Sequence, residues 1–140
     1  AQPKVFYRYA NGTTMELGNG PGGGAIFEGE RGTITIDRGK FSSDPPDATK
    51  DPLADNEVHL AESRDHIGNW LECIRTRERC IADVEIGHRS ASICHLGNIA
   101  RVLGRRLQRD PETEEFIGDD EANGHLDRPR RKGYELPERL

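Results

Sequence analysis

Gly87, His88, Arg89 and Ser90 stand together where an amphipathic run begins, and they are the residues best placed to do chemistry in this 140-residue chain. The sequence puts the start of a helix near Ile86 to His88, where unpaired backbone N–H groups and the positive end of the helix dipole favour an anion or a developing oxyanion. Gly87 lets a ligand approach the backbone. The fork of donors on Arg89 suits a carboxylate or vicinal hydroxyls. His88 and Arg89 are therefore the candidate substrate-binding residues. The competing reading makes His88 and Ser90 a helix cap and pairs Arg89 with a nearby acid such as Glu85.

Other groupings offer less. Cys73, Cys80, His88, Cys94 and His95 lack the short paired spacings of a zinc site, and His88 and His95 lie two helical turns, about 10 Å, apart. No metal site is expected. Asp119, Asp120 and Glu121 are adjacent acids at a helix start, which capping and the dipole explain better than acid–base catalysis. Asp37-Arg38 ends a strand beside a turn and reads first as a surface ion pair. The glycine-rich run from Gly18 to Gly24 precedes a strand instead of a helix, and Pro21 removes one donor. It does not read as a phosphate cradle. No residue is assigned a catalytic role.

These residues depend on a simple order of elements. Val5 to Leu17 reads as a hairpin around Asn11-Gly12 with a two-residue type I′ turn. A second hairpin runs from Ala25 through Gly29–Gly32 to Asp37, with Ile34 and Ile36 on one face, and Lys40 to Ser42 forms an edge run. Pro45, Pro46 and Pro52 make the following stretch a linker. One helix spans about Arg64 to Arg75, capped by Ser63 or Asp65, with Ile67, Trp70, Leu71 and Ile74 as a core-facing stripe. The second carries Ile93, Leu96, Ala100 and Leu103 and weakens at Gly104. A short strand pair around Leu107–Arg109 and Glu115–Ile117 follows Asp110-Pro111 chemistry, and Asp119 caps a last helical turn. The division is thus sheet hairpins in 1–42, a linker in 43–60, a helical layer in 61–127 and an extended tail in 128–140. The fold class is α+β, an open antiparallel sheet of about four strands packed on one face by two main helices.

Composition narrows the function. Apolar residues make up 33% and charged residues 32%, against ordinary values of about 45–50% and about 25%. So thin a core leaves a sheet face to water or to a partner. The net charge of −5 and the lack of an aromatic stacking platform argue against nucleic acid. No run approaches the ~20 apolar residues that span a bilayer. Three cysteines without paired spacing read as free thiols, which fits a cytoplasmic setting.

The segment HIGNWLECIRTRERC from His66, with DVEIGHRSASICHLGNIARVLGR and DPETEEFIGDDEAN after it, resembles the C-terminal portion of a Gfo/Idh/MocA-type oxidoreductase of the bacterial branch. FEGERGTITIDRGKF near the start extends the similarity over most of the chain. The resemblance implies a parent enzyme that uses NAD or NADP to oxidise or reduce a sugar or polyol. In it this part would shape the substrate cleft and mediate homo-oligomerisation through its sheet face. Nothing here resembles the dinucleotide-binding Rossmann half or the family's catalytic motifs. The chain alone is therefore expected to bind no nicotinamide cofactor and to be catalytically inert, with the Rossmann domain its missing partner. The alternative is a non-catalytic binding or assembly module that uses the open sheet face.

Overall fold

The computed structural model describes residues 3–18 and 23–136. It resolves into two compact units, Phe6–Gly87 and the pair of segments Ala1–Val5 and His88–Leu140. The expected α+β class with antiparallel strands is what forms. There are five strands, however, and they divide between two sheets in place of one open sheet: β1 (Val5–Arg8) with β2 (Thr14–Leu17), and β3 (Ala25–Gly29), β4 (Gly32–Asp37) and β5 (Lys40–Asp44) in that order. The glycine-rich run cannot be compared throughout, because 19–22 lie outside the described residues.

The first hairpin closes through a longer loop than a type I′ turn. The Gly12 N–H donates to the Tyr9 carbonyl at 3.0 Å and the Tyr9 N–H to the Thr13 carbonyl at 2.9 Å, with Gly12 at φ +87°. This is a type I turn followed by a left-handed glycine, the three-residue hairpin solution. The Asn11 side chain accepts from the Thr13 N–H, so Asn11 shapes the turn through its carboxamide.

In the three-stranded sheet the register pairs Ala25 with Ile36, Phe27 with Ile34, and Ile36 with Phe41. Side chains alternate faces along a strand, so Ala25, Phe27, Ile34, Ile36 and Phe41 share one face. Ile26, Glu28, Thr33 and Thr35 take the other. The apolar face is largely open, with Phe27 and Phe41 each more than half exposed.

Helix α1 (His66–Thr76) starts where Asp65 caps it, accepting from the Gly68 N–H at 2.9 Å, and ends at Arg77 in the left-handed region. Its stripe is not core-facing: Ile67 is 67% and Trp70 56% exposed, while Cys73 alone is buried. The loop after α1 turns back over the face opposite the stripe, where the Ile81 N–H meets the Asn69 side chain at 3.0 Å. Periodicity marked an apolar face correctly, but within this unit the polar face receives the returning chain.

Helix α2 runs Val84–Leu103. Asp83 takes the Glu85 N–H on its side chain, and its carbonyl accepts from the Gly87 N–H at 3.1 Å. Gly104, at φ +65°, ends it by donating to the Ala100 carbonyl. A left-handed glycine is the commonest way to finish a helix. The chain then forms a single bridge, Arg109 with Phe116, and the four-residue helix α3 (Asp120–Asn123).

The hydrophobic core of this second unit is small. It consists of Ile99, Phe116 and Ala122, with Leu96, Leu103 and Leu107 around them. Asn123 fixes Phe116 by accepting its N–H at 2.7 Å and donating to its carbonyl at 3.0 Å. The Asp119 side chain caps α3 through the Ala122 N–H and is held by both terminal nitrogens of Arg105. Arg105 also bonds Glu121 at 2.8 Å.

Arg105 first, and the Ala122 N–H after it, hold the Asp119 carboxyl down at about 2 in spite of partial burial. A carboxyl with a depressed folded-state pKa contributes stability that is complete above its unfolded value and is lost as pH falls through the folded one. The melting temperature should therefore drop as pH goes from about 4 to about 2. Asp119→Asn should flatten that slope in thermal melts, and an unchanged slope would assign the acid sensitivity elsewhere.

Candidate functional site

The Asp110–Glu115 loop is built by local hydrogen bonds. Asp110 accepts the Glu112 N–H at 2.8 Å on its side chain, and its own N–H donates to the Glu115 carbonyl at 2.8 Å. This turn puts Glu114 at φ +62°, a left-handed conformation uncommon for a residue with a side chain. The Glu114 carboxylate faces α2 as a result. Both its oxygens lie within 2.9 Å of His88 Nε2, and Oε1 is 3.1 Å from Arg109 Nη2.

A carboxylate only accepts, so His88 Nε2 carries the proton in this pairing. The His88 ring, ahead of the Arg109 guanidinium, holds the Glu114 carboxyl below its ordinary value against partial burial. Glu114 thus stays charged at neutral pH and fixes the ring of His88. The Arg109 Nε is buried and without a hydrogen-bond partner.

The three side chains border an open groove of about 660 Å³. One wall is the α2 face bearing His88, Ser92, His95 and Ile99, and the opposite side is formed by Arg109, Glu114 and His125. Imidazoles, a hydroxyl, a carboxylate and a guanidinium above an apolar floor make a surface that can hydrogen-bond a small polyhydroxylated or anionic molecule.

Of the two residues singled out from sequence, the structure brings His88 to the groove. Arg89 is not among the residues that line it; consecutive helical residues are rotated about 100° from one another. The argument that placed both at a helix N-terminus is corrected. The helix begins at Val84, so its first turn precedes His88, and the Glu85 and Gly87 N–H groups there already donate to Asp83. Arg109, Glu114 and His125 were not singled out as site residues, because the turn that unites them with His88 has no spacing signature. His95, set aside above as a zinc ligand, also lines the groove. Asp119 caps a helix as expected, and Cys73, Cys80 and Cys94 are free thiols. Among the described residues no group of three or more His, Cys, Asp or Glu could hold a metal ion.

Residues 1–136 match the family model described as the oxidoreductase family, C-terminal alpha/beta domain, of the Gfo/Idh/MocA type. The chain belongs to this family. It supplies the C-terminal α/β domain, and the α+β fold agrees with that placement. No curated protein and no solved structure gives a match to set beside it.

A nicotinamide dinucleotide needs a strand, a glycine-rich turn and a helix whose N-terminus meets the pyrophosphate. In this Gfo/Idh/MocA domain the glycine-rich run is followed by strand β3. That order does not fit a pyrophosphate cradle, and no step of hydride transfer is assigned to the described residues. No helix of the described residues is long and apolar enough to cross a membrane.

Proposed function

We propose that this domain forms the substrate-side wall of an NAD(P)-dependent oxidoreductase acting on a sugar or polyol, and that His88, steadied by Glu114 and Arg109, binds and orients that substrate. The observation that carries the reading is the His88–Glu114–Arg109 arrangement at the edge of the groove. Family membership supports the reaction class. A carboxylate that fixes an imidazole sets its tautomer and ring plane, as orientation of a substrate hydroxyl requires. Arg89 enters the proposal as a second substrate contact, on the adjoining face of the same helix. The apolar face of β3–β5 supports self-association through the sheet, since exposed apolar patches mark interaction surfaces.

The domain's own ligand preference tests the groove. Amide and imidazole NMR signals should be followed while aldoses, polyols and their acid derivatives are titrated into the 140-residue chain. Saturable shifts should be concentrated at His88, His95, Asn98 and His125. Shifts that are absent or spread evenly at tens of millimolar ligand would instead favour an assembly module with no substrate of its own.

A further inference from the structure

We propose that Cys73 and Cys80 form a redox modification site, a dithiol that closes to an intramolecular disulfide by exchange with a small-molecule disulfide such as oxidised glutathione. This site is separate from the His88 groove and does not depend on the reading given to it.

Cys73 sits in the last turn of α1 and is buried. At Arg77 the backbone enters the left-handed region, φ +65°, and its N–H returns to the Cys73 carbonyl at 2.9 Å. The chain reverses there. Four residues later the Ile81 N–H reaches the Asn69 side chain at 3.0 Å. Asn69 and Cys73 are one helical turn apart and share a face, so the Cys80–Ile81 segment is laid along the face that carries Cys73.

Cys80 is partly exposed and both sulfurs are free thiols. Burial first, and the adjacent Cys80 thiol second, push the Cys73 thiol up, in keeping with that juxtaposition. A disulfide needs Cα atoms about 4.4–6.8 Å apart. A loop pinned back at both Arg77 and Ile81 returns the chain to the face that carries Cys73, as such a closure requires.

Exposure sets the order of steps: the partly exposed Cys80 meets the small disulfide first, and the thiolate is the attacking species. The Cys80 thiolate attacks one sulfur of the small disulfide, forms a mixed disulfide and releases one glutathione thiolate. The Cys73 thiolate then attacks Cys80 Sγ and expels the second. Two protein S–H bonds and one glutathione S–S bond are exchanged for one protein S–S bond and two glutathione S–H bonds. Two electrons and two protons pass to glutathione. The product ties the end of α1 to the segment that leads into α2 at Val84.

Tryptic digestion separates the three cysteines, which fall in 65–75, 80–89 and 90–101. The folded chain should be equilibrated in graded ratios of reduced to oxidised glutathione, alkylated, digested and mapped by mass. A linked 65–75/80–89 species, lighter by two hydrogen atoms than the separate peptides, should dominate at ratios that leave Cys94 largely alkylated. Cys94 is the internal reference, exposed on α2 with its Sγ 3.7 Å from the Ser90 carbonyl oxygen. Cys94→Ser should leave the linked species unchanged and Cys80→Ser should abolish it. Finding only glutathione adducts on Cys80 or Cys94, with Cys73 still open to alkylation after denaturation, would overturn the proposal.

Discussion

Phe116→Ala should remove the cooperative melt of the unit that contains α2 and α3. Truncating a buried phenylalanine costs about 3–5 kcal/mol where the cavity cannot collapse, against a total stability of about 5–15 kcal/mol for an ordinary domain. Phe116 is 4% exposed, and its ring completes a core that otherwise holds only Ile99 and Ala122 as buried members. Relaxation into the cavity is limited. Both backbone polar groups of Phe116 are tied to the Asn123 side chain, and Ala122, with no exposed surface, has no side chain to swing inwards. Phe116→Leu keeps most of the volume and should cost less than about 1.5 kcal/mol. Thermal and denaturant melts of the two variants give the comparison. A Phe116→Ala protein that melts within about 1 kcal/mol of the parent would mean that this cluster does not hold the unit together.

The elements that local chemistry dictates were legible in the sequence. Asp119 as a cap, Gly104 as a helix end and the Ile34/Ile36 face each follow from one residue type in one backbone setting and are found as read, and of the two candidate caps Ser63 and Asp65 it is Asp65 that caps α1. Elements that depend on a choice between neighbours were less so. The second helix reads as beginning near Ile86 to His88, but the Asp83 side chain takes the Glu85 N–H, and the helix starts at Val84. The α1 stripe was correct as a pattern and wrong as a location. Periodicity shows that a face is apolar and says nothing of which segment reaches it.

The candidate site was half legible for a related reason. His88 lies in a sequence neighbourhood that suggests chemistry, whereas Glu114 is 26 residues away in a run of acids that resembles a solvated loop. What selects Glu114 from Glu112 and Glu115 is its left-handed backbone, set by the Asp110 turn and invisible in composition. Arg109 was visible only as one of many arginines. Its role depends on a bridge with Phe116 that forms when the core does. The site and the core are therefore coupled: the strand-like pairing that buries Phe116 also fixes Arg109 and the carboxylate that it shares with His88.

That coupling shapes the kinetic experiment. In the intact oxidoreductase that carries this domain, His88→Ala should lower kcat/KM about tenfold or more, equivalent to about 1.4 kcal/mol of transition-state stabilisation, with little change in melting temperature. His88 is on the exposed side of the pair and supports none of the buried side chains, so stability has little to lose. Glu114→Gln should show a smaller loss of the same kind, because a neutral amide holds the His88 ring less firmly than a carboxylate with both oxygens on Nε2. Arg89→Ala provides the separate arm: a comparable loss would make it a second substrate contact, and unchanged kinetics would leave it a surface residue. If His88→Ala lowers the melting temperature and leaves kcat/KM of the folded enzyme as it was, then the His88–Glu114 pair is a structural clasp between α2 and the 110–115 loop, and the substrate is bound elsewhere.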